Sequence, residues 1–195
     1  MEIFKLQAVK RENFGKRYAK QTRNNEMIPC VLYGSSESYS FSVTPMAVRH
    51  LVYTHSFQIV ELELDGKLHK AILKDMQFHP VTDAILHMDF QQLVDGRNVK
   101  VSVPVSFTGS SKGVKEGGAL VPLMRKVIIK TTPENLVDHI KADVSPLGLG
   151  QSLRVKGLTV PNGIQIMHDE NTPVAYIEIP RSLKSAKDAA TKTGK

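Results

Sequence analysis

The densest run of cations in the chain lies between residues 10 and 23, where six Lys and Arg side chains are accompanied by a single acid, Glu12. Cations at this spacing repel one another and gain nothing from burial, so a dense anion nearby would account for them. The phosphate backbone of a nucleic acid is such an anion. The run therefore predicts nucleic acid as the partner. Its members are Lys10, Arg11, Lys16, Arg17, Lys20 and Arg23.

The charges of the whole chain are unevenly distributed. Residues 1–34 hold seven basic and three acidic side chains, and residues 181–195 hold five and one. The middle, residues 35–180, holds fourteen and fifteen, so the net charge of +7 comes from the two ends. A neutral body with basic ends predicts one localised nucleic-acid footprint and a basic tail, rather than a chain that is cationic throughout.

A second group of polar side chains occupies residues 75–90, which read D-M-Q-F-H-P-V-T-D-A-I-L-H-M-D-F. His87 and Asp89 are two residues apart, so on a β-strand they project from one face. Gln77 and His79 end the preceding strand, and a tight turn would bring them alongside. Two imidazoles and a carboxylate can bind a metal, which makes His79, His87 and Asp89 one candidate site. A hydrogen-bonded His/Asp pair at a sheet edge is the alternative.

The same cluster can also read RNA, together with Tyr33. Asp89 would accept hydrogen bonds from guanine amino groups or 2′-hydroxyls, and His87 and Gln77 would donate to groove edges. Tyr33 would pack on a ribose or base while its hydroxyl bonds a phosphate. RNA helices expose such groups in a wide, shallow minor groove. The cations would then position the chain, and the polar cluster would select the site.

Composition narrows the class of protein. No apolar stretch approaches the roughly 18 residues that span a bilayer, and the start, M-E-I-F-K-L-Q-A-V, lacks the apolar segment of a signal peptide. The one cysteine, Cys30, rules out an internal disulfide and fits a reducing compartment. Because it lies beside Val31 and Leu32, we expect a buried structural thiol rather than a nucleophile. We therefore expect a cytoplasmic protein with no membrane partner.

Alternating apolar and polar residues dominate the first half of the chain and predict a β-barrel with about two helices. Asp65-Gly66 joins two strands and is a strong signal for a two-residue hairpin. On the first helix, Lys16, Lys20 and Arg23 fall at spacings of four and three and therefore share one face. The predicted helices are 14–23 and 44–53, and the predicted strands are 3–9, 30–33, 39–43, 57–64, 67–76 and 84–93.

The second half of the chain predicts another mostly β domain, because short strands alternate with turn residues. The glycine-rich residues 108–119 predict a mobile loop or broad hairpin, and they lack the spacing of a phosphate-binding Walker loop. From residue 180 onward the chain is too poor in apolar side chains to offset the entropy of ordering, so we expect disorder. The predicted strands are 99–107, 120–131, 140–144, 152–155, 160–167 and 174–179, and the predicted domains are 1–94, 95–180 and a basic tail, 181–195.

Several motifs occur in an order and spacing that resemble a known family. The first half contains R-x-x-x-G-K, then basic residues, I-P-x-V-L-Y-G and D-x-Q-x-H-P-V-x-D-x-x-x-H-x-D-F. The second half adds V-P-V-S-F-T-G-S-S-K-G-V-K-E-G-G-A-L, T-P-E-N-L-V-D-H-I-K-A-D-V-S and a late P-V-A-Y-I. Together they cover roughly residues 3–180. They resemble the bacterial large-subunit ribosomal protein numbered twenty-five, in the long two-domain form called CTC or general stress protein.

The resemblance implies a non-enzymatic, mainly β protein of the large ribosomal subunit. Its first domain would bind the loop E helix of 5S rRNA in the central protuberance. Its second domain would pack against neighbouring large-subunit ribosomal proteins, with 23S rRNA as a further candidate partner. No cofactor, metal or small-molecule substrate is implied. By position, the family's RNA contacts fall on Arg11, Lys16, Lys20, Arg23, Tyr33, Gln77, His87 and Asp89.

The chain departs from the family's pattern at four positions. Arg17 stands where glycine is usual, and Gln21 and Phe78 stand where arginine is common. Asn25 stands where glycine often precedes the Ile-Pro turn. Arg17 lies one helical turn before Gln21 and would restore the charge lost there, so we count it among the RNA-binding candidates.

Two other functions stay open at this stage. A metal-dependent RNA hydrolase would use His79, His87 and Asp89, and it predicts stoichiometric metal and metal-dependent cleavage. Alternatively, residues 99–180 would carry the function as a protein-interaction module, and the RNA-binding domain would only tether this module to RNA. The second alternative requires a strong protein partner for those residues.

Overall fold

The computed structural model describes residues 3–35 and 37–180 and is built mainly from β-strands, as the alternation predicted. Its internal contacts divide the chain into two units. Unit 1 comprises Met1–Val101 and Thr131–Asp138, and unit 2 comprises Ser102–Lys130 and His139–Lys195. The predicted boundary at 94/95 stays a prediction, and the predicted tail, 181–195, lies outside the described residues. No helix within the described ranges has the length and apolar character to cross a membrane.

The described residues of unit 1 form a seven-stranded sheet and the two α-helices that the sequence predicted. The elements are β1 (Ile3–Gln7), β2 (Val9–Lys10), α1 (Lys16–Asn24), β3 (Ile28–Tyr33), β4 (Tyr39–Val43), α2 (Pro45–Tyr53), β5 (Ile59–Leu64), β6 (Lys67–Phe78) and β7 (Ile85–Gln92). The strand order is β1-β5-β6-β7-β3-β4-β2. The two edge strands, β1 and β2, are consecutive in the chain and separated only by Ala8, so the sheet curls back toward itself.

The inward side of the curled sheet holds the core of unit 1. Leu32, Phe41 and Phe90 are completely buried, and the rings of Phe41 and Phe90 lie 5.6 Å apart between centroids. Helix α2 adds the buried side chains of Val48 and Leu51 to this core. Because successive residues of a strand point to opposite sides, the residues between the core positions face outward.

The turn between β5 and β6 confirms the predicted hairpin. Asp65 has a φ of 49° and Gly66 a φ of 75°, and the flanking residues Leu64 and Lys67 are paired. Two consecutive positive φ angles are those of a type I′ turn, whose twist matches that of the strands it joins.

The described residues of the second half form two smaller sheets. The elements are β8 (Val99–Thr108), α3 (Lys112–Lys115), β9 (Ala119–Pro122), β10 (Lys126–Thr131), β11 (Ile140–Asp143), β12 (Ser152–Arg154), β13 (Gln165–Ile166) and β14 (Pro173–Glu178). The strand orders are β11-β8-β10-β13 and β12-β14-β9. The predicted strand 120–131 is interrupted at 123–125, and the predicted strand 160–167 shrinks to two residues because Asn162 and Gly163 form a turn.

The glycine-rich segment differs from the predicted broad hairpin. Ser111 is buried, and its hydroxyl accepts a hydrogen bond from the Val114 N–H at 3.0 Å, which caps the one-turn helix α3. A Cβ atom at Gly113 would lie 2.7 Å from the carbonyl carbon of Gly148, and one at Gly118 would lie 2.6 Å from Ile177. The glycines therefore serve close packing of the backbone.

Candidate RNA interface

Strands β3, β7 and β6 lie side by side in unit 1 and bring the predicted polar residues to one outward face. Tyr33 on β3 pairs with Gln91 on β7, and His87 on β7 pairs with Gln77 on β6. Asp89 lies on β7 between His87 and Gln91. Paired residues on neighbouring strands share a face. The register therefore assembles four of the sequence-predicted residues, Tyr33, Gln77, His87 and Asp89.

His87 and Asp89 form a close pair on this face. The distance between His87 Nδ1 and Asp89 Oδ1 is 2.6 Å, and the side chains are 26% and 35% exposed. Since a carboxylate only accepts, Nδ1 carries the proton and donates to it. The pairing fixes the ring and leaves the Nε2 edge for a ligand. In this tautomer the Nε2 atom of a neutral ring is a hydrogen-bond acceptor.

Asp75 completes this face through a β-bulge in β6. Leu73 pairs with Phe90, and the next pair is Asp75 with Asp89, so Lys74 is the extra residue of the bulge. The Lys74 ammonium instead donates a hydrogen bond to the backbone carbonyl of Lys100 at 2.6 Å. Without the bulge, continuation of the register would place Lys74 opposite Asp89. The bulge therefore places a second carboxylate in the site.

Sequence reasoning missed Asp75 and Gln91 as residues of this face. Alternation could have indicated both, because Asp75 precedes Gln77 by two residues and Gln91 follows Asp89 by two. The pairing of Asp75 with Asp89 has no such local signal, because it depends on the bulge.

Tyr33 stands beside these acids with its hydroxyl protonated. Partial burial of the phenol raises the pKa of Tyr33, and the negative charges of Asp89 and Asp75 raise it further. An ordinary tyrosine already titrates near pH 10. The hydroxyl is therefore a reliable hydrogen-bond donor at neutral pH.

The cationic helix α1 is attached to this face through Arg23. Its Nε donates a hydrogen bond to the carbonyl of Leu86, with 3.0 Å between nitrogen and oxygen, at the residue before His87. Lys16 and Lys20 lie on the same side of the helix as Arg23, because spacings of four and three return to one side. No residue of α1 is buried. The cations of the helix are therefore accessible to a ligand.

Arg11 lies near β3, where its charge acts on the buried thiol of Cys30. Its backbone N–H donates to the Ser40 carbonyl at 2.9 Å, which attaches it to β4. Burial raises the pKa of the Cys30 thiol to about 12, while the charge of Arg11 lowers it and that of Asp89 raises it. Both charges therefore act on one atom of β3. The prediction that Cys30 is a buried thiol is confirmed.

Two members of the cation run have different surroundings. The Lys10 ammonium is 2.8 Å from an Asp65 carboxylate oxygen, so its charge is already paired. Arg17 is exposed on α1 and lies about 100° around the helix from Lys16. It shares its side with Gln21, four residues later, the position at which the resemblance leads us to expect arginine.

His79 has a structural role in the turn between β6 and β7. Its Nδ1 accepts hydrogen bonds from the backbone N–H groups of Val81 and Thr82, both at 3.3 Å. Within residues 3–35 and 37–180, no three His, Cys, Asp or Glu side chains are grouped so that they could hold a metal ion. The candidate metal set of His79, His87 and Asp89 is therefore not assembled in the described structure.

The backbone conformation at the C-terminus of α1 shows which residue occupies the position that favours glycine. Asn25 has a φ of −86°, whereas Glu26 has a φ of 56°. The N–H of Met27 donates to the Thr22 carbonyl and that of Glu26 to the Arg23 carbonyl, both at 3.0 Å. This is a Schellman cap, in which the residue after the cap adopts the left-handed conformation that suits glycine. The position that suits glycine in this structure is therefore Glu26 and not Asn25.

Comparison with known proteins confirms the resemblance. The model of the ribosomal L25p family matches residues 6–90, and the model of the C-terminal domain of ribosomal protein TL5 matches residues 98–181. Large ribosomal subunit protein bL25 of Cytophaga hutchinsonii is 39% identical over 182 residues, which cover 93% of this chain and 94% of that protein. The bL25 protein of Porphyromonas gingivalis is 40% identical over 188 residues, covering 95% and 97%. The chain therefore belongs to the ribosomal L25p family of large-subunit ribosomal proteins.

Proposed function

We propose that the chain is a structural constituent of the large ribosomal subunit that binds 5S rRNA through unit 1. The register of β3, β7 and β6 carries this proposal, because it gathers Tyr33, His87 and Asp89 on one outward face. Arg23 holds the cationic helix at the edge of that face. Membership of a large-subunit ribosomal family supports the ribosomal role, and the resemblance of the motifs supports 5S rRNA as the partner.

The charges on the face favour an irregular RNA helix of the loop E type. The carboxylates of Asp75 and Asp89 repel phosphates, so the centre of the face suits hydrogen-bond donors such as base amino groups and 2′-hydroxyls. The phosphates would instead meet Lys16, Lys20 and Arg23 at the edge. A regular duplex offers mainly its shape and 2′-hydroxyls, whereas an irregular helix also presents distinctive base edges.

In this proposal the chain carries out no reaction and acts by positioning RNA in the central protuberance. The protein would be located on the ribosome, in the cytoplasm. Neighbouring large-subunit proteins and 23S rRNA would meet the second half of the chain.

Binding of the purified full chain to 5S rRNA is the direct test. The affinity for 5S rRNA and for a scrambled RNA of equal length would be measured by fluorescence anisotropy at several salt concentrations. We expect the affinity for 5S rRNA to be on the order of 100-fold higher, since each hydrogen bond to a charged group contributes about 1.5–3 kcal/mol. For about five phosphate contacts, log affinity should fall against log salt with a slope of roughly −3.5 to −4.5. Equal affinity for the two RNAs would contradict the proposal.

A further inference from the structure

We infer that unit 2 carries a second RNA-binding surface, on the outward side of its four-stranded sheet. We call it the lysine face and define it by Lys126, Lys130 and Lys141. It rests on the proposed function, in which rRNA meets the second half of the chain, and deepens it by naming the residues that would make the contact. Its ligand would be an RNA phosphate backbone.

Strand β10 provides two of the three lysines. Val127 and Ile129 are completely buried, whereas Lys126 and Ile128 are exposed and Lys130 is partly exposed. The alternation places Lys126 and Lys130 on the outward side of the sheet. Four residues of strand separate them by roughly 13 Å.

Strand β11 provides the third. Lys141 is exposed and pairs with Ser106 on β8, while Ala142 is buried. Because β8 lies between β11 and β10, and neighbouring strands are about 4.8 Å apart, Lys141 lies roughly 10 Å across the sheet from β10. The three cations thus span one surface.

Small polar side chains occupy the surface between the lysines. Ser102, Ser106 and Thr108 take outward positions on β8, and Gln165 on β13 pairs with Lys130. Serine, threonine and glutamine commonly contact phosphate and sugar oxygens. Their small size would let an RNA backbone approach the sheet closely.

The charges favour an anion on this face. Asp143 is its acidic residue, and its carboxylate already accepts a hydrogen bond from the Ser145 N–H at 2.9 Å. None of the three lysines forms an ion pair with another residue in the described part of the chain. The large exposed apolar side chains at this face are Ile128 and Met167, which are 42% and 45% exposed and lie side by side, since the Met167 N–H donates to the Ile128 carbonyl at 2.9 Å. Two such side chains are fewer than the several aromatic or Met anchors of a protein interface, so RNA fits this face better than an acidic protein does.

The test compares two triple variants of the full chain that lose the same charge. The face variant carries Lys126→Gln, Lys130→Gln and Lys141→Gln. The control carries Lys112→Gln, Lys115→Gln and Lys156→Gln, whose lysines are exposed in unit 2 on α3 and in the turn Val155–Gly157. The probe is a fluorescent RNA duplex of about 20 base pairs and arbitrary sequence, titrated at several salt concentrations.

We expect the face variant to lose roughly tenfold or more in affinity at 0.1 M salt. Its salt slope should become less negative by about 2–2.7, since each phosphate contact contributes about 0.7–0.9. The control should change by less than about twofold. Equal losses in both variants, or no loss in either, would overturn the inference. Face-dependent binding of polyglutamate as tight as that of the duplex would overturn RNA as the partner.

Two further measurements keep the result interpretable. Thermal unfolding followed by circular dichroism should show equal stability of both triple variants, because the lysines are at the surface. If the face variant unfolds early, each single Lys→Gln change should still reduce the salt slope by about 0.7–0.9. Binding of 5S rRNA is measured in parallel. If the unmodified chain does not bind 5S rRNA but binds the duplex through the lysine face, the result would contradict the proposed function and leave the inference about the lysine face standing.

Discussion

Asp75 and Asp89 stand directly opposite each other on neighbouring strands of unit 1, on its outward face. Like charges in paired positions destabilise a sheet. The arrangement arises because the bulge at Lys74 removes a lysine from the position opposite Asp89. A ligand that donates hydrogen bonds to both carboxylates would offset the repulsion. Base amino groups and ribose hydroxyls of RNA are such donors.

The first prediction concerns this pair of acids. Asp75→Asn removes the repulsion, so the free energy of unfolding should rise by about 0.2–1 kcal/mol, while the affinity for 5S rRNA should fall. Urea denaturation and fluorescence anisotropy measure the two effects. Asp95→Asn, at an exposed turn of the same unit, is the matched control and should change neither. If the Asp75→Asn variant has unchanged stability and unchanged RNA affinity, the two acids neither destabilise the free protein nor bind RNA.

The second prediction separates selection of the RNA from general attraction. Lys16→Ala and Lys20→Ala should each weaken binding to most RNAs alike, because a phosphate contact carries no sequence information. Asp89→Ala should selectively weaken binding to 5S rRNA. Affinities for 5S and scrambled RNA, measured for all three variants, test this. Equal losses for both RNAs in every variant would refute the division of roles.

The third prediction concerns the attachment of α1. Arg23→Ala and Arg17→Ala remove the same charge from the same helix, but only Arg23 bonds the Leu86 carbonyl in the described structure. Arg23→Ala should therefore cost about 0.5–1.5 kcal/mol of stability and should weaken RNA binding more than Arg17→Ala does. Denaturation curves and RNA titrations of the two variants provide the comparison. If they behave alike, the hydrogen bond does not hold the helix in place.

The fourth prediction concerns the left-handed residue after α1. Glu26→Gly should raise the free energy of unfolding by about 0.5–1 kcal/mol, because glycine adopts a φ of 56° without steric strain. Asn25→Gly, one residue earlier at a φ of −86°, should not stabilise the protein. Urea denaturation measures the free energy of unfolding of both variants. If Asn25→Gly stabilises the protein and Glu26→Gly does not, the position that favours glycine is Asn25.

The fifth prediction concerns the pH dependence that comes from Cys30. Burial raises the pKa of its thiol from an ordinary 9.0 to about 12. A raised pKa contributes stability that is fully present below pH 9 and is lost as the pH rises toward 12. The stability difference between the unmodified protein and Cys30→Ala should therefore shrink over that window in urea denaturation. The native thiol should also react slowly with a thiol reagent at pH 8 and rapidly in urea, and fast native reaction would contradict its burial.

Local signals in the sequence were enough to predict several parts of this fold. The Asp65-Gly66 turn requires two positive φ angles, and its residue types favour them whatever surrounds them. The alternation of His87 and Asp89 depends on strand geometry, and the spacing of the cations on α1 depends on helix geometry. Each of these signals acts within a few residues, so the sequence alone determined this hairpin, the two helices of unit 1 and which of these side chains share a side.

Only the tertiary structure decided which residues from distant parts of the chain contact one another. Lys10 belongs to the cation run in the sequence, yet in the fold it is neutralised by Asp65. Alternation along β10 indicates that Lys126 and Lys130 share a side. Their proximity to Lys141 has no sequence signal, because it depends on the strand order β11-β8-β10.

The sequence by itself determined a mainly β chain, a cationic helix and a His/Asp strand, and its motifs indicated the family. The tertiary structure alone decided that Asp75 lies opposite Asp89 and that Tyr33 lies near both acids. It also decided that Arg23 attaches α1 to this face through the carbonyl of Leu86. The physical reason is that strand register and bulges are set by packing of the whole core. A shift of one residue turns every side chain of a strand to the other face at little local cost.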